Sequence, residues 1–118
     1  MREGTADRRA QSPDPADNSK KLLAFLGLCR RAGFLTAGFK AVVDDINTGK
    51  SKAAIACSDI SEKTFKELCF FAGKRNISVF RLDINSVVLS AATGTKAGVF
   101  CINDEGFAQK LSHLISDV

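Results

Sequence analysis

From residue 19 onward, apolar residues recur at two alternating periods. Leu22, Leu23, Phe25, Leu26 and Cys29 fall on one broad helical face, which Ser19 can cap and Gly33 ends. Phe34-Leu35-Thr36 is a short extended piece, and Gly38 opens a second helix carrying Phe39, Val42, Val43 and Ile46. That helix stops at Asn47-Thr48-Gly49, before the unbroken apolar run Ala53 to Cys57, which predicts a strand covered on both faces. Ser61 caps a third helix with the stripe Phe65, Leu68, Cys69 and Ala72. Ile77 to Leu82 predicts another strand, and Asp83 or Asn85 starts a short helix through Ala92 that Gly94 breaks. Ala97 to Ile102 predicts a further long strand, and Asp104 caps a last helix bearing Phe107, Ala108, Leu111, Leu114 and Ile115. Helices alternating with short buried strands call for a sheet between helical layers, an α/β/α sandwich.

Residues 1–18 break this pattern. They contain no Leu, Ile, Val or Phe and hold both prolines, so they cannot bury a core face and read as a disordered tail. Residues 19–118 then form a single domain, as the length of 118 residues allows. The tail carries three arginines against four acidic residues. The remaining hundred residues carry 14 basic against 9 acidic, a net of +5. A basic domain draws polyanions through long-range attraction. No apolar run reaches the roughly 18 residues of a membrane span, and the start of the chain lacks the apolar core of a secretory signal.

Little in the chain suggests catalysis, a metal or a cofactor. Cys29, Cys57, Cys69 and Cys101 stand far apart without a C-x-x-C pair, among apolar neighbours, and predict four free thiols in a reducing, cytoplasmic setting. Gly-x-Gly-x-x-Gly, the Walker pattern and the Gly-x-Ser-x-Gly elbow are all absent. His113, the one histidine, sits among Leu111, Leu114 and Ile115 and reads as a partly buried packing residue. Asp44 and Asp45 are adjacent in a helix, so their side chains diverge by about 100° and do not converge on one proton. The expectation is a protein that is not an enzyme and uses no cofactor.

Two segments carry the candidate chemistry: Thr36-Ala37-Gly38-Phe39-Lys40, and Leu89 through Lys96. Glycine at a helix start lets another backbone approach closely, and the unpaired amides there can hold phosphate. Lys40 in the first turn opposes the helix dipole, which an external anion would offset. Nine Phe with no Tyr or Trp suit core filling more than a stacking platform. Phe70 and Phe71 stand apart, since neighbouring helix positions cannot both face one core. Either the buried face is broad, or one of the two reaches a groove or partner.

From about Leu22 to Leu111 the chain resembles the L-seven-Ae ribosomal-protein family, especially its small bacterial YlxQ-like branch. The resemblance is carried by Leu26-Gly27-Leu28, Arg31-Ala32-Gly33, Gly38, Val42, Gly49-Lys50, Lys52-Ala53, Ser58-Asp59-Ile60-Ser61, Leu89 to Lys96, and Ile102 to Leu111. It implies a mixed four-stranded sheet and binding of structured RNA, often kink-turns with sheared G·A pairs. It also implies an RNA site made of Gly38, Phe39, Lys40, Ala41 and Asp44 with Ala92, Thr93, Gly94 and Thr95. Arg31 and Lys96 are added as basic neighbours. Where archaeal and eukaryotic members read Gly-x-Asn-Glu-x-x-Lys, this chain reads Gly38-Phe39-Lys40-Ala41-Val42-Val43-Asp44. Ala41 thus replaces the Glu that would accept from a guanine amino group, and Asp44 replaces a phosphate-binding Lys.

Two functions follow. The first is a monomeric, ribosome-associated module that binds structured RNA, ribosomal RNA included, with other ribosome-associated proteins as further partners. The second is a protein-interaction module that keeps the scaffold but not the kink-turn code. Lys40, Lys96, Arg30, Arg31 and the domain charge favour the first, and Asp44, Phe70 and Phe71 the second.

Overall fold

The computed structural model describes residues 15–116. Its elements are α1 (Pro15–Arg31), β1 (Leu35–Ala37), α2 (Phe39–Asn47), β2 (Ala53–Ala56), α3 (Glu62–Lys74), β3 (Val79–Arg81), α4 (Ser86–Thr93), β4 (Val99–Ile102) and α5 (Glu105–Ser116). The strands form one mixed sheet in the order β1-β4-β2-β3. β4 runs antiparallel to β1 and β2, pairing Thr36 with Cys101 and Ala54 with Cys101, while β2 and β3 are parallel with Ile55 opposite Phe80.

Side chains of a strand alternate between faces, and here each face meets its own helical layer. Ala53 and Ile55 of β2 with Phe100 and Ile102 of β4 join Leu22, Leu26, Cys29, Leu89 and Leu111 from α1, α4 and α5. Ala54, Ala56, Val99 and Cys101 face the other way, onto Val42 and Ile46 of α2 and Leu68 and Ala72 of α3. Every residue of β2 and β4 is buried, as their unbroken apolar runs require. The α/β/α sandwich expected from periodicity is the fold observed.

Several boundaries differ from the sequence expectation, each for a local reason. α1 begins at Pro15, so Ser19 lies inside the helix and does not cap it. Proline suits a first helical turn because its missing N–H would have no partner there. Of the tail expected at residues 1–18, residues 1–14 lie outside the described residues and residues 15–18 form the first turn of α1. β3 starts at Val79, two residues late, because the Ile77 N–H turns back to the Ala72 carbonyl at 3.0 Å and closes α3. Asn76 supplies that turn with φ 56. β4 starts at Val99, because Ala97 is bonded to Ser90. Of the two candidate caps for α4, Asn85 serves, accepting from the Val88 N–H at 3.0 Å. His113 is exposed on α5 and does not pack into the core, since its helix buries Ala108 and Leu111 on the opposite side. All four cysteines are free thiols.

Candidate functional site

β1, β2 and β3 run in one direction and β4 against them. Their carboxyl ends share one end of the sheet, where α2, α3 and α4 begin and where the loop 94–98 leads into β4. Ligands of open α/β sheets bind at this end.

The start of α2 differs from the starts of α3, α4 and α5. Ser61 caps α3, Asn85 caps α4 and Asp104 caps α5, each accepting from a backbone N–H at 3.0 to 3.1 Å. Gly38, at the start of α2, offers no side chain. Its amide donates to the Val99 carbonyl at 2.9 Å, and the first helical bond runs from the Val42 N–H to the Gly38 carbonyl. The amides of Phe39, Lys40 and Ala41 therefore point out of the helix end, as an anion-binding start requires. Lys40 is exposed beside them, and the first turn holds no acidic residue.

Asp44 is exposed one turn further on, while Asp45 turns inward. Thr36 Oγ1 donates to Asp45 Oδ2 at 2.5 Å. Asn103 Nδ2 donates to the same oxygen at 3.1 Å and to Thr36 Oγ1 at 2.8 Å. These bonds tie α2 to β1 and to the residue after β4. They set the rotation of the helix that presents Lys40 and Asp44.

The loop 94–98 is equally fixed. Gly94 closes α4 in the left-handed conformation, at φ 76. Ser90 Oγ accepts from the Ala97 N–H at 3.1 Å, and the Gly98 carbonyl accepts from the Cys57 N–H at 3.0 Å. Together with α4 and the turn before α3, the loop borders an open cleft of about 720 Å³. Ile60, Val87, Ala91 and Ala97 give the cleft its apolar wall, and Asp59, Ser86 and Lys96 its polar rim. Asp59 accepts from the Ser86 N–H at 2.9 Å and from Ser86 Oγ at 2.8 Å, which holds its carboxyl below the usual carboxylate range. Val87 is 76% exposed there.

Of the residues singled out from sequence, Gly38, Lys40, Ala41 and Asp44 share this end of the sandwich with Gly94, Thr95 and Lys96. Phe39 packs toward the core between α2 and α3. Thr93 is buried, its hydroxyl donating to the Leu89 carbonyl at 2.9 Å. The Ala92 carbonyl faces α1, 3.1 Å from where a Cβ on Gly27 would stand. Arg31 Nη1 lies 3.6 Å from that same point, so Arg31 borders the end of α4. Asp59, Ile60, Ser86 and Val87 were not singled out as site residues, and Ser90 only as part of the segment Leu89 to Lys96. The segment Ser58 to Ser61 was noted for its resemblance, but its proximity to α4 arises only through the parallel pairing of β2 and β3. Among the described residues, no helix is long and apolar enough to cross a membrane.

No family model matches the sequence, and no match is found among curated proteins. Solved structures do match. The chain shares its fold with the 15.5kD RNA-binding protein of Giardia lamblia, at a TM-score of 0.69 and 17% identity over 95% of this chain and 99% of that one. This is the fold that the L-seven-Ae resemblance implied. A protein of unknown function from Bacillus halodurans is 34% identical, with a TM-score of 0.77 over 81% of this chain and 97% of that one. The chain belongs to the same family as that Bacillus halodurans protein.

Proposed function

We propose that this protein is a non-enzymatic, monomeric RNA-binding module of the L-seven-Ae type, in its bacterial YlxQ-like branch, that takes structured RNA at the α2 end of the sandwich. The observation that carries the reading is the uncapped start of α2, with Lys40 beside three outward amides and a braced loop close by. Phosphate meets the amides and Lys40, and the cleft beside Lys96 gives a splayed base an apolar wall with polar groups at its edge. Ribosomal RNA and kink-turn-like folds are the substrates of this reading, and association with the ribosome follows from it. The fold shared with the Giardia lamblia RNA-binding protein supports it.

Gel-shift titrations with a kink-turn RNA, a plain duplex and ribosomal RNA fragments at several salt concentrations test it. A face of this size neutralises on the order of 3–5 phosphates, so log K should fall against log salt with a slope of about −2 to −4. An affinity indifferent to salt would remove RNA and leave the second reading, a protein-interaction module. The exposure of Asp44 on the α2 face favours that second reading, because a carboxylate there repels a phosphate backbone.

A further inference from the structure

Away from this end, α3 turns one aromatic ring to solvent. Phe70 is 59% exposed, whereas Phe65 and Phe71 of the same helix pack toward the core. The Phe70 ring is nonetheless held in place. Phe71 meets it edge-on with centroids 5.5 Å apart, and Lys74 Nζ lies 4.5 Å from its centroid. Positions three and four apart share a helix face, so Lys63, Lys66, Glu67, Phe70 and Lys74 form one exposed line. The line is about 16 Å long at 1.5 Å per residue. Of the helix's two acidic side chains, Glu62 bonds Arg81 at 2.7 Å and Glu67 stands on the line itself, so three lysines face one carboxylate and the net charge is positive.

We infer that the outer face of α3 binds single-stranded RNA, with a base stacked on Phe70 and phosphates along Lys63, Lys66 and Lys74. The inference rests on the reading above only for the polymer being RNA. A ring between regularly spaced cations matches a chain that alternates π-faces with negative charge. A protein anchor would need further apolar groups around it to exclude water, and apart from the half-buried Phe71 the neighbours of Phe70 on this face are Lys, Glu and Gly. The flexible Lys74 stem lets its ammonium leave the ring for a phosphate when a base arrives. α2 and α3 start at the same end of the sheet, and Phe70 lies about 13 Å along α3 from Ser61. A strand leaving an RNA held at α2 can therefore run down this line.

Fluorescence anisotropy of the full chain with an eight-nucleotide oligouridine, and separately with a blunt kink-turn hairpin, tests the inference. The wild-type protein should bind oligouridine. Phe70→Ala and Phe70→Leu should each weaken that binding about five-fold or more, and Phe70→Tyr should restore it, because Tyr supplies a π-face and Leu does not. Lys66→Ala should lower the salt slope by about 0.7. Phe70→Ala should leave hairpin binding unchanged. Failure of the wild type to bind oligouridine, or equal affinity in Phe70→Ala, overturns the inference whatever the hairpin does. Loss of hairpin binding by the wild type with oligouridine binding intact would overturn the α2 reading alone. Binding of an acidic peptide through Phe70 in place of oligouridine would make this a protein-docking face and overturn the inference.

Discussion

The Gly38 N–H donates to the Val99 carbonyl across 2.9 Å, and this bond joins the start of α2 to the first residue of β4. It brings the candidate phosphate-binding turn next to the loop 94–98, although some sixty residues separate them along the chain. Gly38 makes the bond with φ 99 and ψ 139, a conformation that side chains rarely adopt. Beyond the residue itself and its two chain neighbours, no atom lies within 4 Å of where its Cβ would stand. Gly38→Val should therefore destabilise the fold through backbone strain and not through a clash, by about 1–3 kcal/mol in urea titration. Wild-type stability in that variant would show that the turn relaxes without cost.

Lys40 and Asp44 lie one turn apart on the exposed side of α2 with opposite effects on a phosphate. Lys40→Ala should weaken RNA binding by roughly 1 kcal/mol or more and reduce the salt slope by about one unit. Asp44→Lys should tighten binding, since it replaces a repulsive charge with an attractive one within a Debye length. Unchanged affinity in both variants, with circular dichroism reporting an intact fold, would move the RNA elsewhere.

Asp45 is the anchor of α2. Asp45→Ala leaves the Thr36 hydroxyl and one donor of Asn103 without their shared acceptor in a half-buried site. The expected loss is about 1–3 kcal/mol of stability, read from the urea midpoint. Asp45→Asn keeps an acceptor oxygen and should lose less.

Burial pushes the thiols of Cys29, Cys57 and Cys101 up to about 11 from an ordinary value of 9.0. In the fold these groups hold their protons to higher pH than in the unfolded chain. Their contribution to stability is therefore complete below about pH 9 and is lost as the pH climbs toward about 11. Urea midpoints should fall across that window, and replacing the three cysteines with alanine should flatten the fall. With a thiol-reactive probe on the native protein, half-buried Cys69 should react first, and all four groups should react once the chain is unfolded.

Local chemistry made most of the fold legible. The run Ala53 to Cys57 reads as a doubly covered strand because no polar side chain interrupts it, and Ser61, Asn85 and Asp104 announce helix starts because their oxygens reach an amide two or three residues on. The same locality explains the misplaced edges. Ile77 is a good strand residue, but its amide goes to Ala72, and Ser19 is a good cap inside a helix that had already begun at Pro15. For the candidate site, Gly38 and Lys40 stood out in sequence because a bare helix start with a lysine is unusual within a few residues.

What the amino-acid order determined by itself is the set of elements, the two buried faces and the absence of a side-chain cap at Gly38. Each depends on contacts made within one turn or one strand, which hydrophobic period and residue type encode directly. Only the tertiary structure decided that Asp45 faces Asn103 while Asp44 faces solvent, that Asp59 meets Ser86, that Thr93 is buried, and that Phe70 rather than Phe71 is left outside. Those outcomes depend on which strand pairs with which and on how each helix is rotated against the sheet. Both are set by packing between residues tens of positions apart, and no short window of sequence contains them.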